Sequence, residues 1–287
     1  MEKIVNEILR EEVYYEKLDN GLDIYFMPKK GFTKKFAVLA TNYGSNELEF
    51  IPINGTEKIR VNEGIAHFLE HKMFEQPGGG NAFDKFSKLG ANANAYTNFT
   101  MTAYLFSCTD NFYENLEHLI DYVQTPYFTE ENVEKEKGII EQEIRMYDDD
   151  PFFKMYDGII YNSFIKHPIK YPIAGTVKSV KSTTKEDLYN CYNTFYHPSN
   201  MFLVITRNVD PKETINLIKI NQEKKKFDKF TGIEIKEYDE PNKVEKKEET
   251  TTMDIEISKL GIGYKIDCSK IDKSIADIKS YISLLFD

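Results

Sequence analysis

His67-Phe68-Leu69-Glu70-His71 packs two imidazoles and a carboxylate into five residues. The flanks predict a helix: Asn62 is placed to cap it, Glu63 suits its positive end, and Pro77-Gly78-Gly79-Gly80 stops it. Residues four apart on an α-helix stand about 40° apart around the axis, so His67 and His71 project from adjacent turns toward one point. Glu70 lies beside them with its carboxylate left over. An ordinary exposed pair of histidines with a local charge partner is the plain alternative. Two of the chain's five histidines falling at this spacing around an acid argues against it.

Two imidazoles on one face suit a divalent metal, and the order His-x-x-Glu-His inverts the His-Glu-x-x-His zinc helix while keeping the same roles. A catalytic zinc takes three protein donors and keeps a fourth position for water, so a third donor must come from elsewhere. The stretch from Thr129 to Ile144 predicts a second helix, with Thr129 at its N-cap, acids in its first turn, and Ile140 and Ile144 facing a core. Glu136 and Glu143 share a face to within about 20°. Spacing alone does not choose among Glu134, Glu136, Glu141 and Glu143, and an acid-rich stretch is often a solvated face.

These motifs, together with Gly90-Ala91-Asn92-Ala93-Asn94-Ala95-Tyr96-Thr97, Pro172-Ile173-Ala174-Gly175-Thr176 and Tyr196-His197-Pro198-Ser199-Asn200-Met201, resemble the pitrilysin, insulin-degrading enzyme and mitochondrial processing peptidase superfamily. The similarity is strongest to the bacterial processing-peptidase-like branch of these inverzincin zinc peptidases, and it runs from about residue 15 to 232. The resemblance implies an α+β fold, a mixed or antiparallel sheet with helices packed on one side, forming one half of a two-half, clam-shaped metallopeptidase. It implies one Zn2+ held by His67, His71 and Glu143, with Glu136 supporting the site and Glu70 as general base. It also implies an extended peptide or unfolded segment lying along an edge strand, for which Asn94 and Ala95 are the expected backbone contacts. The gap between the two parts of the metal set is slightly short for the family, which a trimmed loop explains.

Three segments are expected: the resemblance implies a zinc-binding domain over 1–232 and the start of a second, similar domain over 251–287, and charge marks a linker over 233–250 between them that reads as exposed. In the last, Met253-Asp254-Ile255-Glu256-Ile257 alternates like a strand and Ile271 to Phe286 is amphipathic like a helix. The expectation is one complete half with the first elements of the next, and a homologous second half or partner subunit as the missing wall. A half that binds peptides or scaffolds a partner without cleaving them is the alternative function.

A net charge of −10 excludes a nucleic-acid footprint. No apolar run suits a membrane span and the acidic N-terminus has no signal core, so the reading is cytoplasmic. Cys108, Cys191 and Cys268 are too scattered for a metal site or disulfide framework and read as free, packed thiols. The coarse order is a helix, two strands, the metal helix, a short helix, a strand, helices to about Phe195 and a final strand from Met201. Apolar runs place the early strands at Leu22 to Met27 and Phe36 to Asn42. His118, on an amphipathic helix from Phe112 to Val123, reads as a surface residue.

Overall fold

The computed structural model describes residues 1–267 except Asn54 and Val209. In chain order come β1 (Glu2–Asn6), β2 (Glu11–Lys17), β3 (Asp23–Pro28), β4 (Lys35–Thr41), β5 (Glu49–Phe50), β6 (Ile59–Arg60), α1 (Ile65–Met73), β7 (Glu75–Gln76), β8 (Gly80–Asn81), α2 (Ala82–Lys88), β9 (Asn92–Thr97) and β10 (Thr102–Cys108). They are followed by α3 (Phe112–Val123), α4 (Glu130–Asp149), α5 (Pro151–Ser163), α6 (Val177–Ser182), α7 (Lys185–Phe195), β11 (Met201–Arg207) and α8 (Pro211–Glu223). The chain divides into two units, one of residues 1–147 with 172–237 and the other of 148–171 with the residues from 238 onward.

The first unit is built on a seven-stranded sheet in the order β1-β2-β3-β11-β4-β10-β9. Only β11 and β3 run parallel; every other neighbour is antiparallel. The result is the mixed α+β sheet that the sequence predicts. Register aligns side chains in rows across it: Ile24, Leu203, Leu39, Tyr104 and Ala95 form one, and Phe26, Ile205, Ala37, Phe106 and Ala93 the next. The large apolar members are fully buried, each stabilising by about 1.5–3 kcal/mol, because α1, α3 and α8 pack on strands of this sheet. On the opposite face Tyr25, Val38, Leu105 and Val204 are exposed or half-buried.

Several local expectations are corrected. The N-terminal helix is instead the hairpin β1–β2, turned at Glu7 to Arg10 where Asn6 Oδ1 accepts the Leu9 N–H and Arg10 adopts φ 53°. Val13, Tyr14 and Tyr15 are β-branched or aromatic, and Tyr15 packs 5.2 Å from Tyr25 on β3, a cross-strand pair that favours the strand. Strand β10, absent from the expected order, pairs β9 with β4. Helix α1 is capped by Gly64 rather than Asn62: Gly64 sits at φ 87°, and a Cβ there would lie 2.4 Å from Ala174 O. His118 is buried, not exposed. Its Nε2–H donates to Ala82 O at 2.9 Å and its ring lies 4.6 Å from that of Phe86, because α2 packs onto α3.

The stretch after α8 returns to the first unit before leaving it. Lys225 pairs with Asp121 at 2.8 Å, the ring of Phe230 stacks 4.9 Å from His197, and Ile235 bridges to Phe50. Met253–Ile257 form no strand; nothing pairs with them as a ladder among the described residues. The helix expected over Ile271 to Phe286, and Cys268, lie outside the described residues. Cys108 and Cys191 are buried free thiols.

In the second unit Asp150 caps α5 by accepting the Phe152 and Phe153 N–H groups, with Pro151 opening the helix. The chain from Tyr238 lies against α5 where it has no side chains to clash: Cβ atoms at Gly261 and Gly263 would meet Ile159 at 2.5 and 2.4 Å. Glu240 accepts the N–H groups of Ile165, Lys166 and His167 and the Lys265 ammonium. No helix among the described residues is long and apolar enough to cross a membrane.

Candidate metal centre

Two helices meet at the motif. On α1, Ile65, Ala66, Phe68, Leu69 and Met73 are buried in the core, which leaves His67 and His71 half-buried at its edge with their rings 4.5 Å apart. Helix α4 is polar overall and buries only Asn132, Val133, Ile140 and Ile144. That stripe turns Glu136 and Glu143 toward α1. His67 Nε2 lies 3.6 Å from Glu143 Oε1, His71 Nε2 lies 3.3 Å from Glu143 Oε2, and His71 Nδ1 lies 3.0 Å from Glu136 Oε1. The donor atoms of His67, His71 and Glu143 all fall within 4.8 Å of one another. Among the acids that spacing left open, Glu134 pairs with Lys137 and Glu141 with Arg145 and Lys181, away from the histidines.

The residues fit a zinc ion. Two nitrogens and a carboxylate oxygen are its usual catalytic set, and bond lengths of about 2.0–2.2 Å place tetrahedral donors about 3.3 Å apart, close to the His71–Glu143 and His67–Glu143 separations. The electrostatics agree. Burial, aided by the neighbouring His71, pushes His67 down to about 4, which keeps it a neutral donor. Burial also opposes charge on His71, but the Glu136 and Glu143 carboxylates outweigh it and lift the ring to about 10. His71 in turn holds Glu143 down to about 2. The carboxylates thus demand a positive charge at this point. The Nδ1 atom of His67 is buried without a hydrogen-bond partner among the described residues, unlike that of His71.

Glu70 is buried one turn along from His67, and burial raises its carboxyl above the usual range. Thr97, at the end of β9, donates to Glu70 Oε2 at 2.7 Å, and Tyr147 donates to Glu143 Oε1 at 2.8 Å. Neither residue was singled out from the sequence. Tyr147 lies one turn beyond Glu143 on α4 and was legible from that spacing; Thr97 needed the register Thr97↔Thr102↔Thr41 that points it into the core face.

Strand β9 closes the sheet and has one free edge. The Asn98 N–H donates to Met101 O. By antiparallel alternation Asn94 and Tyr96 therefore turn their backbone groups toward β10, and Ala95 turns its own toward the open edge. Of the two expected contacts, Ala95 presents its backbone to the edge and Asn94 does not. The Asn94 side chain instead accepts the Ala95 N–H at 2.9 Å.

Residues 57–177 match the family described as Insulinase (Peptidase family M16), and residues 182–275 match the Peptidase M16 inactive domain. The chain is 52% identical to the "uncharacterized zinc protease YmfH" of Bacillus subtilis over 90% of its own length and 60% of that protein. It is 30% identical to an "uncharacterized zinc protease" of Rickettsia felis over 72% of its own length and 49% of that protein. An M16-like peptidase structure from Alicyclobacillus acidocaldarius superposes with a TM-score of 0.80 at 43% identity, covering 85% of this chain and 57% of that one. The chain belongs to the M16 peptidase family, and it spans about half to three-fifths of the length of these relatives.

Proposed function

We propose that this chain is the zinc-binding half of a metalloendopeptidase acting on peptides or unfolded segments. His67, His71 and Glu143 hold one zinc ion, Glu136 orients His71, and Glu70 is the general base. The observation that carries this reading is the convergence of two imidazoles and a carboxylate from separate helices beside a fourth, buried carboxylate.

A zinc ion in such a site supplies a Lewis acid for the peptide carbonyl and lowers the pKa of the attacking water. The chain's own work is proton handling and orientation. Glu70, buried beside the histidines with its carboxyl raised by that burial, is the group that takes a proton from that water and returns it to the departing amine. Thr97 fixes which oxygen of Glu70 is engaged, leaving the other for the proton. His71 stays in one ring orientation because Glu136 accepts its Nδ1–H.

An extended peptide would pair with the free edge of β9, using the backbone of Ala95 once the Asn94 side chain has swung away. A homologous second half completes the cleft from the other side, consistent with the greater length of the relatives. Zinc content by elemental analysis, together with cleavage of an unstructured peptide with and without chelator, tests the proposal. Stoichiometric zinc with chelator-sensitive cleavage, lost in Glu70→Gln with the zinc retained, is the expected outcome. Stoichiometric zinc with no cleavage, even with the second half supplied, would favour the non-catalytic peptide-binding reading. A protein that takes up no zinc refutes both roles for the centre.

A further inference from the structure

Lys72 follows His71 directly on α1, and its side chain is fully buried. A lysine is almost never buried completely unless its charge is paired. Its ammonium donates to Asn132 O at 3.0 Å and pairs with Glu75, which lies just past the end of α1. Asn132 is in the first turn of α4, and Thr129 and Asn132 cap that turn reciprocally: the Thr129 N–H donates to Asn132 Oδ1 and the Asn132 N–H to Thr129 Oγ1. In an α-helix the carbonyl of Asn132 is also the one that receives the N–H of residue 136. Lys72 therefore grips α4 at the turn that presents Glu136.

We propose that Lys72 is a positioning residue that sets the register of α4 against α1 so that Glu136 and Glu143 face the two histidines; this rests on the zinc reading above. The stripe that α4 buries is thin, with Val133, Ile140 and Ile144 as its only apolar members. Apolar contacts of this kind have no direction and tolerate a small turn or slide of the helix. One residue of slip moves a helix by about 1.5 Å and turns its side chains by about 100°, which would take Glu143 out of reach. The directional bonds from Lys72 to Asn132 and from His71 to Glu136 come from adjacent residues of α1 and remove that freedom.

The test is zinc affinity by competition with a chromophoric chelator and the visible spectrum of the cobalt-substituted protein, for the parent, Lys72→Met and Ile218→Ala. Ile218 is fully buried on α8 and serves as a control for general destabilisation. Lys72→Met is expected to bind zinc about tenfold or more weakly and to change the cobalt spectrum, with Ile218→Ala matching the parent in both. Parent-like affinity and spectrum in Lys72→Met overturn the proposal, and so does an equal loss in Ile218→Ala. Should Lys72→Met fail to fold, Glu75→Gln decides. It removes the counter-charge at a half-buried position, and a smaller loss in the same direction supports the clamp while unchanged binding overturns it. A parent that binds no zinc sinks the metal assignment itself and the clamp with it, whereas a parent that binds zinc while the variants match it sinks only the clamp.

Discussion

His71 and Glu136 meet Nδ1 to Oε1 at 3.0 Å, and the other nitrogen of the same ring faces Glu143 at 3.3 Å. One helix, α4, thus addresses both sides of one imidazole. Replacing Glu136 with glutamine keeps its volume and removes the charge that fixes the ring. Zinc affinity in Glu136→Gln should fall about 10- to 100-fold with the fold retained, as chelator competition and circular dichroism would measure.

Thr97 links the edge strand to the proposed base. In Thr97→Val the shape is kept and the hydrogen bond to Glu70 is lost. A bond to a charged group is worth about 1.5–3 kcal/mol, so kcat/KM on an unstructured peptide should drop about 10- to 100-fold at unchanged zinc content. Parent-like kinetics would show that the contact does not orient the carboxylate.

Gly64 and Gly175 fit together at the start of α1. Both have positive φ, 87° and 74°, and Cβ atoms at the two positions would lie 2.4 Å from Ala174 O and 2.3 Å from Glu63 O. Positive φ alone costs an L-residue about 1–2 kcal/mol, and the backbone clash adds to it. Gly64→Ala should therefore lose about 2 kcal/mol or more of stability, read as a lower midpoint in denaturant.

Glu240 ties the second unit together and gives it a pH dependence. Burial alone would raise its carboxyl, but the Lys265 ammonium and three backbone N–H donors outweigh that and hold it at about 2. A carboxylate depressed on folding stabilises fully above its unfolded pKa of about 4.5 and loses that contribution as pH falls toward 2. Hydrogen exchange at Ile165, Lys166 and His167 should accordingly be faster in Glu240→Gln than in the parent above pH 5 or so, with the difference vanishing on acidification. A difference that persists unchanged at low pH would contradict the assignment.

What the sequence disclosed follows from how local each signal was. The His67 to His71 spacing needs only a helix, and α4 needed only its capping pattern and the apolar pair Ile140 and Ile144. The choice of Glu143 over Glu141 came from resemblance, because helical spacing gives several acids equal standing until the partner helix is placed. Gly64, Gly175 and Thr97 were illegible as structural pieces. Their roles depend on segments far apart in the chain meeting at backbone distance. His118 was misread for the same reason: an amphipathic helix shows which side is apolar, but not that α2 will roof its polar edge. The N-terminal hairpin was missed because Val13, Tyr14 and Tyr15, flanked by charged residues with no alternation, give a weak strand signal without the Tyr25 neighbour.

The Asn94 side chain resting on the Ala95 N–H has a consequence for the sheet as a whole. A bare strand edge invites any passing chain, including another copy of itself, to zip on. Here that outward donor already has an acceptor in its own strand, so an arriving chain finds one place fewer to bond and the edge is a poorer template for association.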